Sequence, residues 1–138
     1  MNFLIVDDIE AKAALVRIIL WEYFGNKIQV SIATKFNTAR TYIQNGDSYS
    51  IIFLDGDLKD EKNGIDLIPI IKSQRHLATA EIVMISDNES LVDAAVEKGV
   101  SKSISPDSLS KSAHTGNAPE EIFEILQKIK KAHYISSH

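Results

Sequence analysis

Cysteine is absent from this chain, which excludes a disulfide framework and thiolate chemistry and fits a cytoplasmic location. Long apolar runs are absent too: no segment approaches the ~20 residues needed to cross a bilayer, so no membrane insertion is expected. The N-terminus lacks a basic lead and its apolar run stops at Asp7, against the pattern of a signal peptide. Basic residues are in the minority, 15 Lys and Arg against 19 Asp and Glu, for a formal net charge of −4. Broad nucleic-acid or anionic-membrane binding would favour a basic face, so neither is expected. Hydrophobic residues at 44% and charged residues at 25% are ordinary globular proportions. With 138 residues, no internal repeat and no break in composition, positions 1–138 read as one domain around one core.

What the chain does have is alternation. Its centre is YSIIFLDGDL, Tyr49 to Leu58, where the apolar run Ile51 to Leu54 leads straight into Asp55. An unbroken run of this kind reads as a strand buried on both faces by helices. Phe3 to Val6 is a similar run closing on Asp7 and Asp8, and Glu81 to Ile85 is another, closing on Ser86 and Asp87. Lys27 to Ala33 alternates as a strand should, and Val100 to Ser105 does so faintly. Between them lie helical patterns: Ile9, Ala13, Val16, Leu20 and Phe24; then Phe36, Ala39 and Ile43; then Leu67, Ile68 and Ile71, with Pro69 in the first turn; then Leu91 to Val96, with Gly99 as a C-terminal cap. Asp57 to Gly64 reads as a charged loop closing on the Asn63-Gly64 turn.

Ser105 to Ala118 is polar and bounded by Pro106 and Pro119, so positions 105–118 are expected to form a flexible surface loop. Asn117 with Glu120 matches a capping arrangement for a final helix over about 118–132 that buries Ile122, Ile125, Leu126 and Ile129. Lys128, Lys130 and Lys131 fit the dipole at that helix's end or, on a sharper reading, a basic docking patch. The sum is an α/β chain: a doubly wound five-stranded parallel sheet flanked by five helices.

Ligands of such sheets gather at the carboxyl ends of the strands. If the first and third strands are neighbours, Asp7, Asp8 and Asp55 converge there. Like charges 4 Å apart repel by roughly 4 kcal/mol per pair at an effective dielectric of ~20, so a cation is called for. Oxygen-only ligands with room for water suit Mg²⁺ (or Mn²⁺), which would also ease the approach of a phosphoryl group. Asp55 needs no general base, and Ser86 could donate a hydrogen bond to a phosphoryl oxygen.

With FLIVDD at the first strand, IIFLD at the third, Asn63-Gly64 after it, MIS at the fourth and Gly99 through Ser-Pro before the last helix, the chain resembles the receiver domains of two-component response regulators. The likeness runs from Phe3 to Lys131 and implies the flavodoxin-like receiver architecture. It implies Asp55 as phosphoacceptor and metal ligand, Asp7 and Asp8 as the acidic pair holding the metal with Asp8 the more direct ligand, the backbone carbonyl of Asp57 completing the metal site, and Ser86 as the Ser/Thr beside the phosphoryl group. A phosphoprotein of phosphorelay signal transduction is then expected, with slow self-dephosphorylation its only turnover. Its partners would be a sensor histidine kinase or histidine phosphotransfer protein and a downstream protein target, which the family contacts through helix four, strand five and helix five, around Leu91 to Ser105 and Ile122 to Ile129.

Three departures stand out. Ser105 occupies the position where the family places a lysine, leaving Lys102 or Lys59 as substitutes. Strand five carries no aromatic switch residue. Asp87 stands where a small residue is usual. Two rival readings remain: a phosphorylation-independent pseudo-receiver that binds partners, and a phosphatase resembling the haloacid dehalogenases, with Asp55 as nucleophile and Asp57 as general acid. A flavin domain would want a phosphate loop where Asp7-Asp8-Ile9-Glu10 stands. His76, His114, His133 and His138 show no ligand spacing, and Trp21 reads as a core or interface anchor.

Overall fold

The computed structural model describes residues 1–60 and 62–137; position 61 of the expected charged loop and His138 lie outside them. Strands β1 (Asn2–Val6), β2 (Gln29–Ala33), β3 (Ile51–Asp55), β4 (Glu81–Ile85) and β5 (Lys102–Ile104) form one parallel sheet in the order β2-β1-β3-β4-β5. Parallel neighbours need crossovers. These are supplied by α1 (Glu10–Phe24), α2 (Phe36–Gln44), α3 (Ile68–Lys72) and α4 (Glu89–Glu97), and the chain closes with α5 (Pro106–Thr115) and α6 (Phe123–Ser137). The flavodoxin-like doubly wound sheet is therefore present, with six helices among the described residues in place of the expected five.

The period of two along each strand splits the core into two layers. Leu4, Val6, Ile52, Leu54, Ile82 and Met84 face α2, α3 and α4, where Phe36, Ala39, Ile43, Ile68 and Ile71 are buried. Phe3, Ile5, Ile51, Phe53, Val83, Ile85 and Ile104 face the other way, onto Ala13, Val16, Ile19 and Leu20 of α1, Leu109 of α5, and Ile125 and Leu126 of α6. All five residues of β3 are buried. At roughly 1.5–3 kcal/mol for each large apolar side chain, this central strand is the strongest anchor in the sheet. Its register aligns the strand ends: Val6 pairs with Leu54 and Asp55 with Ile85, so the chain leaves β1, β3 and β4 at one edge.

The largest departure from expectation lies after β5, where positions 106–115 form a helix in place of a loop. Ser105 caps it, its Oγ accepting from the Ser108 backbone N–H at 3.2 Å, and Pro106 takes the first turn, where its missing N–H costs nothing. Gly116 ends it in the left-handed region at φ 77°. Only Leu109 and Ser112 of this helix are buried, so its apolar stripe is too thin to read from sequence.

Other differences are smaller. Asn117 caps nothing: a short 3₁₀ turn, Glu120–Ile122, starts behind Pro119, and α6 begins only at Phe123. The stretch before α3 is likewise a 3₁₀ turn, Gly64–Leu67, closed by a reciprocal box between Asn63 and Asp66. Ile9 is 48% exposed and outside the core stripe of α1, while Ile19 is buried within it. Trp21 is exposed, with the Arg17 guanidinium 5.1 Å from its ring centre. The half-buried His76 ring bonds the Ile43 carbonyl at 2.9 Å.

Candidate functional site: an acidic cluster at the strand ends

Asp7 and Asp55 each stand at the end of a buried strand, one residue past the pair Val6 and Leu54. Asp7 is fully buried and Asp55 is 5% exposed. With the half-buried Asp8 they bring carboxylate oxygens within 4.8 Å of one another. Asp8 and Asp55 line a cleft of ≈ 270 Å³ together with Ile9, Lys12, Asp57, Lys59, Ser86 and Asp87, whereas Asp7 is fully buried and does not line it.

Local bonds hold each part in place. Asp7 Oδ1 accepts from the Ile9 N–H at 2.9 Å, which turns the chain from β1 into α1. Asp55 Oδ1 accepts from the Asp57 N–H at 3.2 Å. The Gly56 N–H donates to the Ile85 carbonyl at 3.2 Å, tying the loop after β3 to β4. Gly64 presses on the Asp55 backbone from the far side of that loop: a Cβ there would stand 2.0 Å from the Asp55 carbonyl oxygen. Only glycine fits. Ser86 Oγ accepts from the Asn88 N–H at 3.0 Å, which leaves its hydroxyl hydrogen to donate toward the cleft.

The cluster's electrostatics are dominated by burial. Desolvation and the Asp7 charge push the Asp55 carboxyl up to about 7, against the Asp57 N–H and Lys12, which favour its anion. Burial raises Asp7 too, overriding the Ile9 N–H and Lys12. Lys12 answers from the first turn of α1: its Nζ lies 3.3 Å from Asp7 Oδ2 and 3.4 Å from Asp55 Oδ1. Burial would lower the Lys12 pKa, but the two carboxylates outweigh it and raise it. Even so, one ammonium faces three carboxylates. Asp8 Oδ1 is buried without a hydrogen-bond partner, and Asp7 Oδ2 has only the ion pair. An unpartnered buried carboxylate oxygen within a hard-oxygen set is what a small divalent cation satisfies, so the residues fit Mg²⁺ or Mn²⁺.

The remaining sequence candidates scatter. Asp57 and Lys59 line the cleft but are exposed; Asp57 Oδ1 closes a turn onto the Lys59 N–H at 3.1 Å, and Lys59 sits at φ 50°. Lys102 does not line the cleft. It is exposed and pairs with Val83, three residues short of Ser86 along β4. Ser105 spends its hydroxyl on the cap of α5, donating to Ser108 Oγ at 3.1 Å. Lys12 is the residue that sequence reading missed: it stands in the first turn of α1, which begins at Glu10, and its partners Asp7 and Asp55 lie outside that helix, so no helical spacing marks the pairing.

No family model matches the chain, and no curated protein matches it. Solved structures do. The signal receiver domain of a DNA-binding response regulator protein from Colwellia psychrerythraea 34H superposes with TM-score 0.70 at 17% identity, covering 97% of this chain and 98% of that one. A CheY-like response regulator receiver domain protein from Methanospirillum hungatei JF-1 gives TM-score 0.68 at 20% identity, over 95% and 97%. A response regulator protein from Burkholderia pseudomallei, solved with a phosphorylated aspartic acid, a calcium ion and citrate, gives 0.67 at 18%, over 99% and 75%. The chain therefore has the receiver-domain fold. No helix among the described residues is long and apolar enough to cross a membrane.

Proposed function

We propose that this receiver-fold chain accepts a phosphoryl group on Asp55 from a histidine kinase or a histidine phosphotransfer protein, and passes the signal on by contact with a downstream protein. The observation that carries this reading is the convergence of Asp7, Asp8 and Asp55 within 4.8 Å, with Asp8 and Asp55 opening onto a cleft that Ser86 also lines. Asp7 and Asp8, with the backbone carbonyl of Asp57, would hold Mg²⁺, which supplies charge compensation for an anionic nucleophile meeting an anionic phosphoryl group. Asp55 is held by the Asp57 N–H and presents its carboxylate to the donor. The Ser86 hydroxyl donates to a phosphoryl oxygen, strengthening as charge builds there. The phosphatase reading finds less support, because Asp57, its general acid, is exposed and engaged in a turn with Lys59.

The test is incubation of the purified chain with acetyl phosphate and Mg²⁺, read by intact mass. One added phosphoryl group on the wild type and none on Asp55→Asn is the expected result. A wild type that stays unlabelled at every Mg²⁺ concentration would favour a pseudo-receiver working by partner binding alone.

A further inference from the structure

We infer that Lys12, reaching in from α1, is the cation that grips the phosphoryl group on Asp55. The inference rests on the phosphoacceptor reading above and adds to it a residue from a different element. Lys12 is the one described lysine that is not exposed, and its side chain is 20% exposed with Nζ between Asp7 Oδ2 and Asp55 Oδ1. Its competitors are elsewhere: Lys102 lies outside the cleft, Lys59 is on the exposed rim, and Ser105 is committed to a helix cap.

The charge balance requires such a group. In the transfer step an oxygen of the Asp55 carboxylate bonds to phosphorus while the bond from phosphorus to the donor's imidazole nitrogen breaks. The electron pair of that bond leaves with the donor. Asp55 Oδ1 already faces Lys12 and the Asp57 N–H, so Oδ2 is the oxygen left to attack. The site gives up one carboxylate charge and gains a group carrying roughly −1.5 to −2. Lys12 Nζ lies within reach of Asp55, and an ammonium has three donors for the new equatorial oxygens.

The same contacts make Lys12 a rival of the metal for Asp7 and Asp55 before phosphorylation. Removing it is therefore expected to move two readouts in opposite directions, which a loss of fold would not do. In Lys12→Gln, the acetyl phosphate labelling rate at saturating Mg²⁺ should fall about tenfold, the loss expected for a charge-assisted hydrogen bond. Mg²⁺ affinity of the unphosphorylated protein, followed by thermal shift, should rise several-fold. Lys12→Arg should regain most of the labelling, and Lys102→Ala should label as wild type does. Labelling of Lys12→Gln at the wild-type rate would overturn the role of Lys12 while leaving Asp55 as acceptor. Joint loss of labelling and Mg²⁺ affinity would overturn it in favour of a scaffolding role. An unlabelled wild type would overturn the acceptor reading and this inference together.

Discussion

Asp55 sits among groups that resist its ionisation, and the resistance can be measured. Its carboxyl is pushed up to about 7 in the folded chain, against 3.8 for an unperturbed aspartate. Between those values the folded state holds a proton that the unfolded state has released, so this group's contribution to stability falls as pH rises from about 4 to about 7 and levels off above. In EDTA, the melting temperature of the wild type relative to Asp55→Asn should decline across that window, and saturating Mg²⁺ should remove the slope. A flat difference in EDTA would mean that Asp55 is ionised throughout.

Asp8 gives a second test at this scale. Its buried Oδ1 has no partner and adds negative charge beside Asp7 and Asp55, so Asp8→Ala without metal should be neutral or stabilising by thermal melt. A clear drop would mean that Asp8 serves the fold. Gly64 answers to sterics alone. With the Asp55 carbonyl 2.0 Å from an added Cβ, Gly64→Ala should cost about 1–3 kcal/mol by denaturant unfolding and slow labelling of Asp55.

Among the elements, α5 shows where sequence pattern stops being informative. The strands were readable because burial on both faces leaves unbroken apolar runs such as IIFLD and EIVMI. Positions 106–115 read as loop because the stretch is mostly polar, with three serines behind Pro106, and only Leu109 and Ser112 face inward. The signal that was present, and misread as loop punctuation, is Ser-Pro: a capping serine with proline at the first helical position. The helix thus leans on its ends, so Ser105→Ala should destabilise by ~1 kcal/mol without changing Lys12's reach into the cleft. A drop within error would show that packing on α1 carries this helix instead.

At the scale of the whole molecule, sheet order makes the site. With β1 and β3 adjacent, residues 48 positions apart, Asp7 and Asp55, end level and close. That meeting was legible from two apolar runs ending in aspartate. The contribution of Lys12 was not, because an ammonium on a four-carbon stem can point to solvent or inward, and only the burial of its carboxylate partners decides. The receiver fold and the acidic cluster stand together in the account's central claim, that Asp55 is a metal-assisted phosphoacceptor. The most direct measurement is borohydride trapping after acetyl phosphate treatment, which reduces an aspartyl phosphate to homoserine that tandem mass spectrometry can locate. The account predicts homoserine at position 55 in Mg²⁺ and none in EDTA. Homoserine at Asp7 or Asp8, or at no position in Mg²⁺, would contradict it.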